Sequence, residues 1–278
     1  MLRYTAFSDN PAGGNPAGVV LDAEGLTTAE MQRIAAEVGF SETAFLTVLG
    51  EDAFRVRYFS PGKEVAFCGH ATVAAAVAWA EQRSPGQLRL TTNAGEVRVE
   101  TSVSSVGAMS ATLTSVRPVV EHVDDSRLAE LLMALRWSAD ELDPSLPVRV
   151  ASAGARHPVI AAATRDRLAM LDYDFPRLAA LMNESSWDTI DLIWQESEYV
   201  FHARNPFPVG GVVEDPATGA AAAALGGYLR ELDLVAVPAK LTVYQGADLG
   251  RPSVITVDIP AEPGTGIRVS GTAVRLAP

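Results

Sequence analysis

The 278-residue sequence contains a single cysteine, Cys68. One thiol can form neither an intrachain disulfide nor a cysteine metal cluster, which excludes a disulfide-stapled secreted scaffold. Basic residues are also scarce: 22 Lys and Arg stand against 34 Asp and Glu, a net charge of -12. Neutralising phosphates needs a basic surplus, so binding to nucleic acid or to an anionic membrane is not expected. Long apolar runs are missing too. The two most apolar stretches, 66–80 and 217–227, fall short of the about 20 residues that span a bilayer. The opening MLRYTAFSDNPAGGN lacks a basic patch followed by an apolar run, so no signal peptide is expected, and the reading is a soluble, cytoplasmic protein. No Gly-x-Gly-x-x-Gly follows a strand, and neither Gly-Lys-Ser/Thr nor a Gly-x-Ser-x-Gly elbow occurs, so bound nucleotide and serine-hydrolase chemistry are not indicated. No two of the four histidines have metal-ligand spacing, so no metal is expected.

What is present is a globular composition, 48% hydrophobic and 20% charged, long enough for one large domain or two small ones. Short β-branched segments bounded by Gly, Pro, Asn or Asp predict strands throughout, among them 2–7, 43–49, 53–59, 87–92, 189–194, 199–204, 253–259 and 267–276. The spacing of Met31, Ile34, Ala35 and Val38 predicts an amphipathic helix over 27–38. Thr27 and Glu30 form the pattern of a capping box, Leu26 and Met31 that of a staple, and Gly39 supplies a left-handed stop. Two more amphipathic helices are predicted over 126–135 and 175–183. Residues 71–83 and 217–232 differ in kind. They are alanine-rich on nearly every face, which predicts two helices buried centrally.

The segments leading into these two helices look alike. Laying CGHATVAAA over EDPATGAAAAA matches Ala71 and Thr72 with Ala217 and Thr218. We read this as an internal duplication, each half a β-rich sheet around one helix, with the boundary near 117–125. Helix N-termini bind anions, so two such helices suit a carboxylated ligand. Thr72 and Thr218 then either contact that ligand or merely cap the helices. His70 stands at the first helix start, and Asp215 is set in the equivalent place of the second half, where capping is the plainer reading. Glu42 lies between the Gly39 stop and an apolar strand. A carboxylate in such surroundings can hold a proton near neutral pH, although a solvated turn glutamate would look the same. Cys68 is read as a small buried filler, since it has no partner cysteine.

GNPAGVV (14–20), SETAF (41–45), FCGHAT (67–72), EDPATGAAA (214–222) and QGADLGRPS (245–253) together resemble the phenazine-biosynthesis PhzF-like family, relatives of diaminopimelate epimerase. The five motifs stand in order along nearly the whole chain. The resemblance implies an α+β fold of two pseudo-symmetric domains, each a β-barrel-like sheet around a central helix: residues 1–117, joined by a returning strand 267–276, and residues 118–278. It also implies a site in the interdomain cleft, a homodimer and no cofactor. In the phenazine enzyme a glutamate shifts a proton between carbons of trans-2,3-dihydro-3-hydroxyanthranilate. That glutamate matches Glu42, and the family's substrate-holding histidine and aspartate match His70 and Asp215. Asn15, Gly69, Thr218, Gly219 and Gly246 match substrate-enclosing motifs. Diaminopimelate epimerases use two opposed cysteines. Here Cys68 matches the first, and Asp215 and Pro216 are read at the place of the second. The expected activity is an isomerase acting on a small carboxylated metabolite. The alternatives are an epimerase or dehydratase on the same fold, or a non-catalytic metabolite-binding dimer.

Overall fold

The structure is a computed structural model that describes residues 1–104 and 107–277. Ser105 and Val106, in the Val103–Gly107 loop that carries no sequence signal, lie outside the described residues. The chain divides into two compact units: Met1–Thr114 with Arg251–Val254 and Ser270–Pro278, and Ser115–Gly250 with Ile255–Val269.

The first unit runs β1 (Leu2–Ala6), β2 (Asn15–Val20), α1 (Thr28–Val38), β3 (Glu42–Gly50), β4 (Ala53–Phe59), β5 (Glu64–Val65), α2 (Gly69–Ala80), β6 (Gln87–Thr92), β7 (Gly95–Val103) and β8 (Met109–Thr114). The second runs β9 (Val119–His122), α3 (Asp125–Leu135), β10 (Arg149–Ser152), β11 (Arg156–Ala161), α4 (Arg165–Ala169), α5 (Phe175–Ser185), β12 (Asp191–Ser197), β13 (Val200–Pro206), β14 (Glu214–Asp215), α6 (Gly219–Glu231) and β15 (Ala239–Gln245). The chain ends with β16 (Ser253–Ile259) and β17 (Arg268–Arg275), whose residues are shared between the units.

In the first unit β1, β2, β3, β4, β6, β7, β8 and β17 pair in a closed ring of eight strands. Closure leaves no strand edge to template aggregation. Helix α2 packs against β1, β2, β3, β7 and β8. Eleven of its twelve residues are buried, as its alanine coat requires. The fold is the diaminopimelate-epimerase-like α+β fold.

The second unit repeats the order of pairings. β10 and β11 are antiparallel like β1 and β2, and β11 and β12 parallel like β2 and β3. β12 and β13 are antiparallel like β3 and β4, and β13 and β15 parallel like β4 and β6. Helix α6 fills the place of α2. A Cβ on Gly227 would stand 2.4 Å from the Pro118 side chain, so only glycine lets α6 lie this close to the segment before β9.

The duplication is therefore real at the level of topology, but the residue matching taken from the alanines is corrected by about one helical turn. Gly69 opens α2 and Gly219 opens α6, with Cys68 and Thr218 in the N-cap places. β5 begins at Glu64 and β14 at Glu214. Thr218 is thus the counterpart of Cys68, and Asp215 that of Val65 rather than His70. A slip of four residues moves an alanine helix by about one turn of 3.6 residues and leaves its faces alike, which is why the sequence match concealed it.

Strand β9 lies in the 117–125 stretch and pairs antiparallel with β10, so His122 is on a strand; the two units divide just before this stretch, between Thr114 and Ser115.

Asp191 opens β12 opposite Val159 as Glu42 opens β3 opposite Ala17. In the second unit this place is sealed. Asp191 is 1% exposed and accepts from Asn205, whose Oδ1 takes the Thr189 hydroxyl, and Thr189 meets His157. Burial pushes the Asp191 carboxyl up to about 7, against a smaller lowering by Asn205. Burial pulls the His157 imidazole down to about 4, against smaller upward pulls from Asp188 and Thr189. Native Asp191 keeps a proton that the unfolded chain releases near pH 4, so its contribution to stability falls as pH rises from about 4 to about 7. Native His157 refuses a proton that the unfolded chain takes up near pH 6.5, so its contribution rises between about 4 and 6.5. The two slopes oppose. Urea midpoints measured across this range are expected to fall with rising pH in His157→Gln and to rise in Asp191→Asn. Parallel profiles for wild type and both variants would refute the assignment.

Candidate active site

The groups that can do chemistry in the first unit converge where β3 begins and α2 begins. The path of the chain produces this locally. Helix α1 starts in the capping box of Thr27 and Glu30 and ends at Gly39, whose φ of 71° is left-handed. That reversal delivers Ser41 and Glu42 to the head of β3, which pairs in parallel with β2. Asn15, at the start of β2, is held opposite Ala6 of β1. Cys68 is the N-cap residue of α2, and His70 lies in its first turn.

His70 is the hub. Its Nδ1 lies 3.1 Å from Asn15 Nδ2, and its Nε2 lies 3.2 Å from Ser41 Oγ and 3.3 Å from Glu42 Oε2. The Cys68 thiol donates to the same Glu42 oxygen at 3.6 Å. Asn15, Cys68 and His70 are buried, whereas the Glu42 side chain keeps 16% of its exposure. The Glu42 carboxylate thus accepts from the Cys68 thiol, lies beside the His70 ring and still reaches the surface.

Cys68, read from sequence as a filler, is buried but faces both Glu42 and His70. Thr72 is also corrected. It is fully buried inside α2, donates to the Cys68 carbonyl at 2.6 Å and meets the Tyr58 hydroxyl at 2.6 Å. It neither caps the helix nor has a face left for a ligand. Its work is to tie the start of α2 to β4. Gly69 has open space where a Cβ would be.

Glu42, Cys68 and His70 bring ligand atoms within 4.8 Å of one another, a cluster that could suggest a metal. The ring geometry argues otherwise. The sulfur lies 3.4 Å from Nδ1 and 3.7 Å from Nε2, against the ring as a whole. A tetrahedral ion on the in-plane lone pair of Nε2 would put the sulfur about 5 Å from Nδ1. The three groups fit a hydrogen-bonded set and do not fit a coordination sphere.

The second unit holds its own polar set. The Thr218 hydroxyl donates to Asp215 Oδ2 at 2.6 Å. Gln245 closes around them: its Oε1 accepts from the Thr218 N–H at 2.9 Å, while Nε2 donates to the Asp215 carbonyl and to Thr218 Oγ1. The backbone N–H fixes which end of the amide is which. Thr218 Oγ1 therefore accepts from Gln245 and spends its own proton on Asp215, which is held as an acceptor. Thr218 caps α6 in position, but its side chain does not bond to the first turn. Gln245 was not singled out from sequence, because one glutamine at the end of a strand carries no periodic signal. It is the first residue of the QGADLGRPS motif, where the adjacent Gly246 turns left-handed at φ 76°, and that motif was the available clue. Gly219 opens α6.

Beside Asp215, Glu214 forms a buried two-bond ion pair with Arg204, Nε to Oε2 at 3.0 Å and Nη2 to Oε1. Arg204 also donates to the Ala169 carbonyl. Among the described residues no helix is long and apolar enough to cross a membrane.

The fold is an epimerase-like scaffold, and it carries a polar set in each unit. The comparisons with known proteins narrow this. The family of phenazine biosynthesis-like proteins, PhzC-PhzF, matches residues 4–277. A Deinococcus radiodurans protein called an uncharacterized isomerase is 37% identical, over 93% of this chain and 87% of its own length. The trans-2,3-dihydro-3-hydroxyanthranilate isomerase of Pseudomonas fluorescens is 31% identical, over 97% of this chain and 94% of its own. The crystal structure of a Bacillus anthracis phenazine biosynthesis protein of the PhzF family superposes with a TM-score of 0.89 at 30% identity, covering 99% of this chain and 96% of that one. The chain belongs to the phenazine biosynthesis-like family, and it is an isomerase of PhzF type.

Proposed function

We propose that the chain isomerises a small, carboxylated, amino-bearing cyclic metabolite by moving one proton between two of its carbons. Glu42 takes a proton from a carbon next to an activating group as the C–H electron pair moves into the ring's unsaturation. It then returns the same proton to a second carbon as that pair closes again. Nothing is oxidised or reduced, and the reading calls on no cofactor. The observation that carries it is the Glu42 carboxylate, which accepts from Cys68, lies 3.3 Å from His70 Nε2 and stays accessible at the head of β3. In the second unit Asp215, held as an acceptor by Thr218, suits a ligand donor such as an ammonium or hydroxyl group. The Pseudomonas fluorescens relative acts on trans-2,3-dihydro-3-hydroxyanthranilate, which supports that compound as the first probe.

The test is to incubate the protein with this probe in deuterated solvent and to follow the product and its label by NMR. Isomerisation is expected, with part of the transferred hydrogen retained as protium, because one shielded carboxyl carries it both ways. Complete solvent labelling at the accepting carbon would count against a single shuttle. If carboxylated amines bind and raise the unfolding midpoint but none is turned over, the protein is a binder and the proposal fails.

A further inference from the structure

We infer that Asn15 is a positioning residue whose side-chain amide fixes His70 as the Nε2–H tautomer, with that N–H on the side of Ser41 and the Glu42 carboxylate. The tautomer assignment stands on the geometry of the first unit. Its consequence for turnover rests on the proposed proton transfer by Glu42.

The tautomer follows from the Asn15 end of the ring. The Asn15 amide nitrogen, 3.1 Å from Nδ1, can only donate. Nδ1 must then offer its lone pair, which leaves the ring hydrogen on Nε2. At the other end Nε2 lies 3.2 Å from Ser41 Oγ and 3.3 Å from Glu42 Oε2. The Ser41 hydroxyl can accept from that N–H. The Cys68 thiol spends its one hydrogen on Glu42 and does not decide the tautomer.

Asn15 is 1% exposed and opens β2 opposite Ala6, so the amide is held by the sheet on the far side of the imidazole from Glu42. The sequence motif suggested a substrate contact. The structure instead sets Asn15 one residue behind the reacting carboxylate. With the hydrogen moved to Nδ1, a bare Nε2 would stand beside Glu42, and the ring could no longer donate on that side.

Long-range proton–nitrogen correlation spectra of the folded, nitrogen-labelled protein read the tautomer directly, with His70 assigned by its loss in His70→Gln. The expected result is a bare Nδ1 and a protonated Nε2. A wild-type ring protonated on Nδ1, or on both nitrogens, would overturn the inference. Asn15→Asp sets an acceptor against Nδ1 and is expected to move a hydrogen there. With the dihydro-hydroxyanthranilate probe it should lower kcat by up to about 100-fold, the scale of a misplaced catalytic group, with KM changed little. An unchanged ring in that variant, or unchanged kcat despite a changed ring, would overturn the positioning role. Should Asn15→Asp fail to fold, the wild-type spectrum still decides the tautomer. If the wild type does not turn over the probe, the proposed function fails while the spectra judge the tautomer separately.

Discussion

Turnover by the Glu42→Gln protein is expected to fall by roughly 100- to 10,000-fold, the scale of general acid–base catalysis. The substitution keeps the length and polarity of the side chain. Gln Oε1 can still accept from Cys68, so the heads of β3 and α2 should stay in place. What is lost is the group that accepts and returns the proton. Binding should therefore persist, and the loss should appear in kcat rather than KM. The measurement is steady-state turnover of the probe by both proteins, with the binding midpoint shift measured alongside. Near-normal kcat in Glu42→Gln would remove Glu42 from the mechanism. A loss confined to KM would make Glu42 a binding group.

Much of this centre could be read in the sequence, and the exceptions have physical reasons. The α1 capping box and the Gly39 stop are written in local residue types, and the structure has both. They fix where Glu42 emerges, so Glu42 was legible. The burial of α2 and α6 was legible too, because an all-round alanine surface suits only a packed helix. The alignment of the two halves was not, because alanines at one-turn spacing match almost as well when slipped. Strands β5 and β14 are two residues long, too short for any period, yet they place Glu214 and Asp215. Thr72 and Asn15 looked like ligand contacts because they stand in motifs. Only tertiary packing shows that one ties α2 to Tyr58 and the other backs His70. Gln245 had no signal of its own, since its three bonds go to residues about thirty positions earlier in the chain.

The largest effect on stability is expected at Glu214, which touches no reacting group. Its side chain is 2% exposed and that of Arg204 is 9% exposed. Desolvating the two charges is offset by their two-bond pairing, by the Arg204 bond to Ala169, and by antiparallel pairing of β13 with β14. Glu214→Ala leaves the guanidinium buried without its counter-charge. Breaking one side of such a pair costs about 3–5 kcal/mol, which corresponds to a fall in Tm of about 10 °C for a chain of this size. Replacing both partners, as Arg204→Met with Glu214→Leu, removes both desolvation penalties and is expected to recover most of that loss. The single variant, the double variant and Arg204→Met alone form a cycle that measures the coupling. Additive losses would mean that the pair does not hold β14. Coupling makes a further demand. β14 carries Asp215 directly after Glu214, so the single variant should weaken ligand binding even well below its unfolding temperature, and the double variant should restore it. Wild-type affinity in folded Glu214→Ala would separate the ion pair from the placement of Asp215.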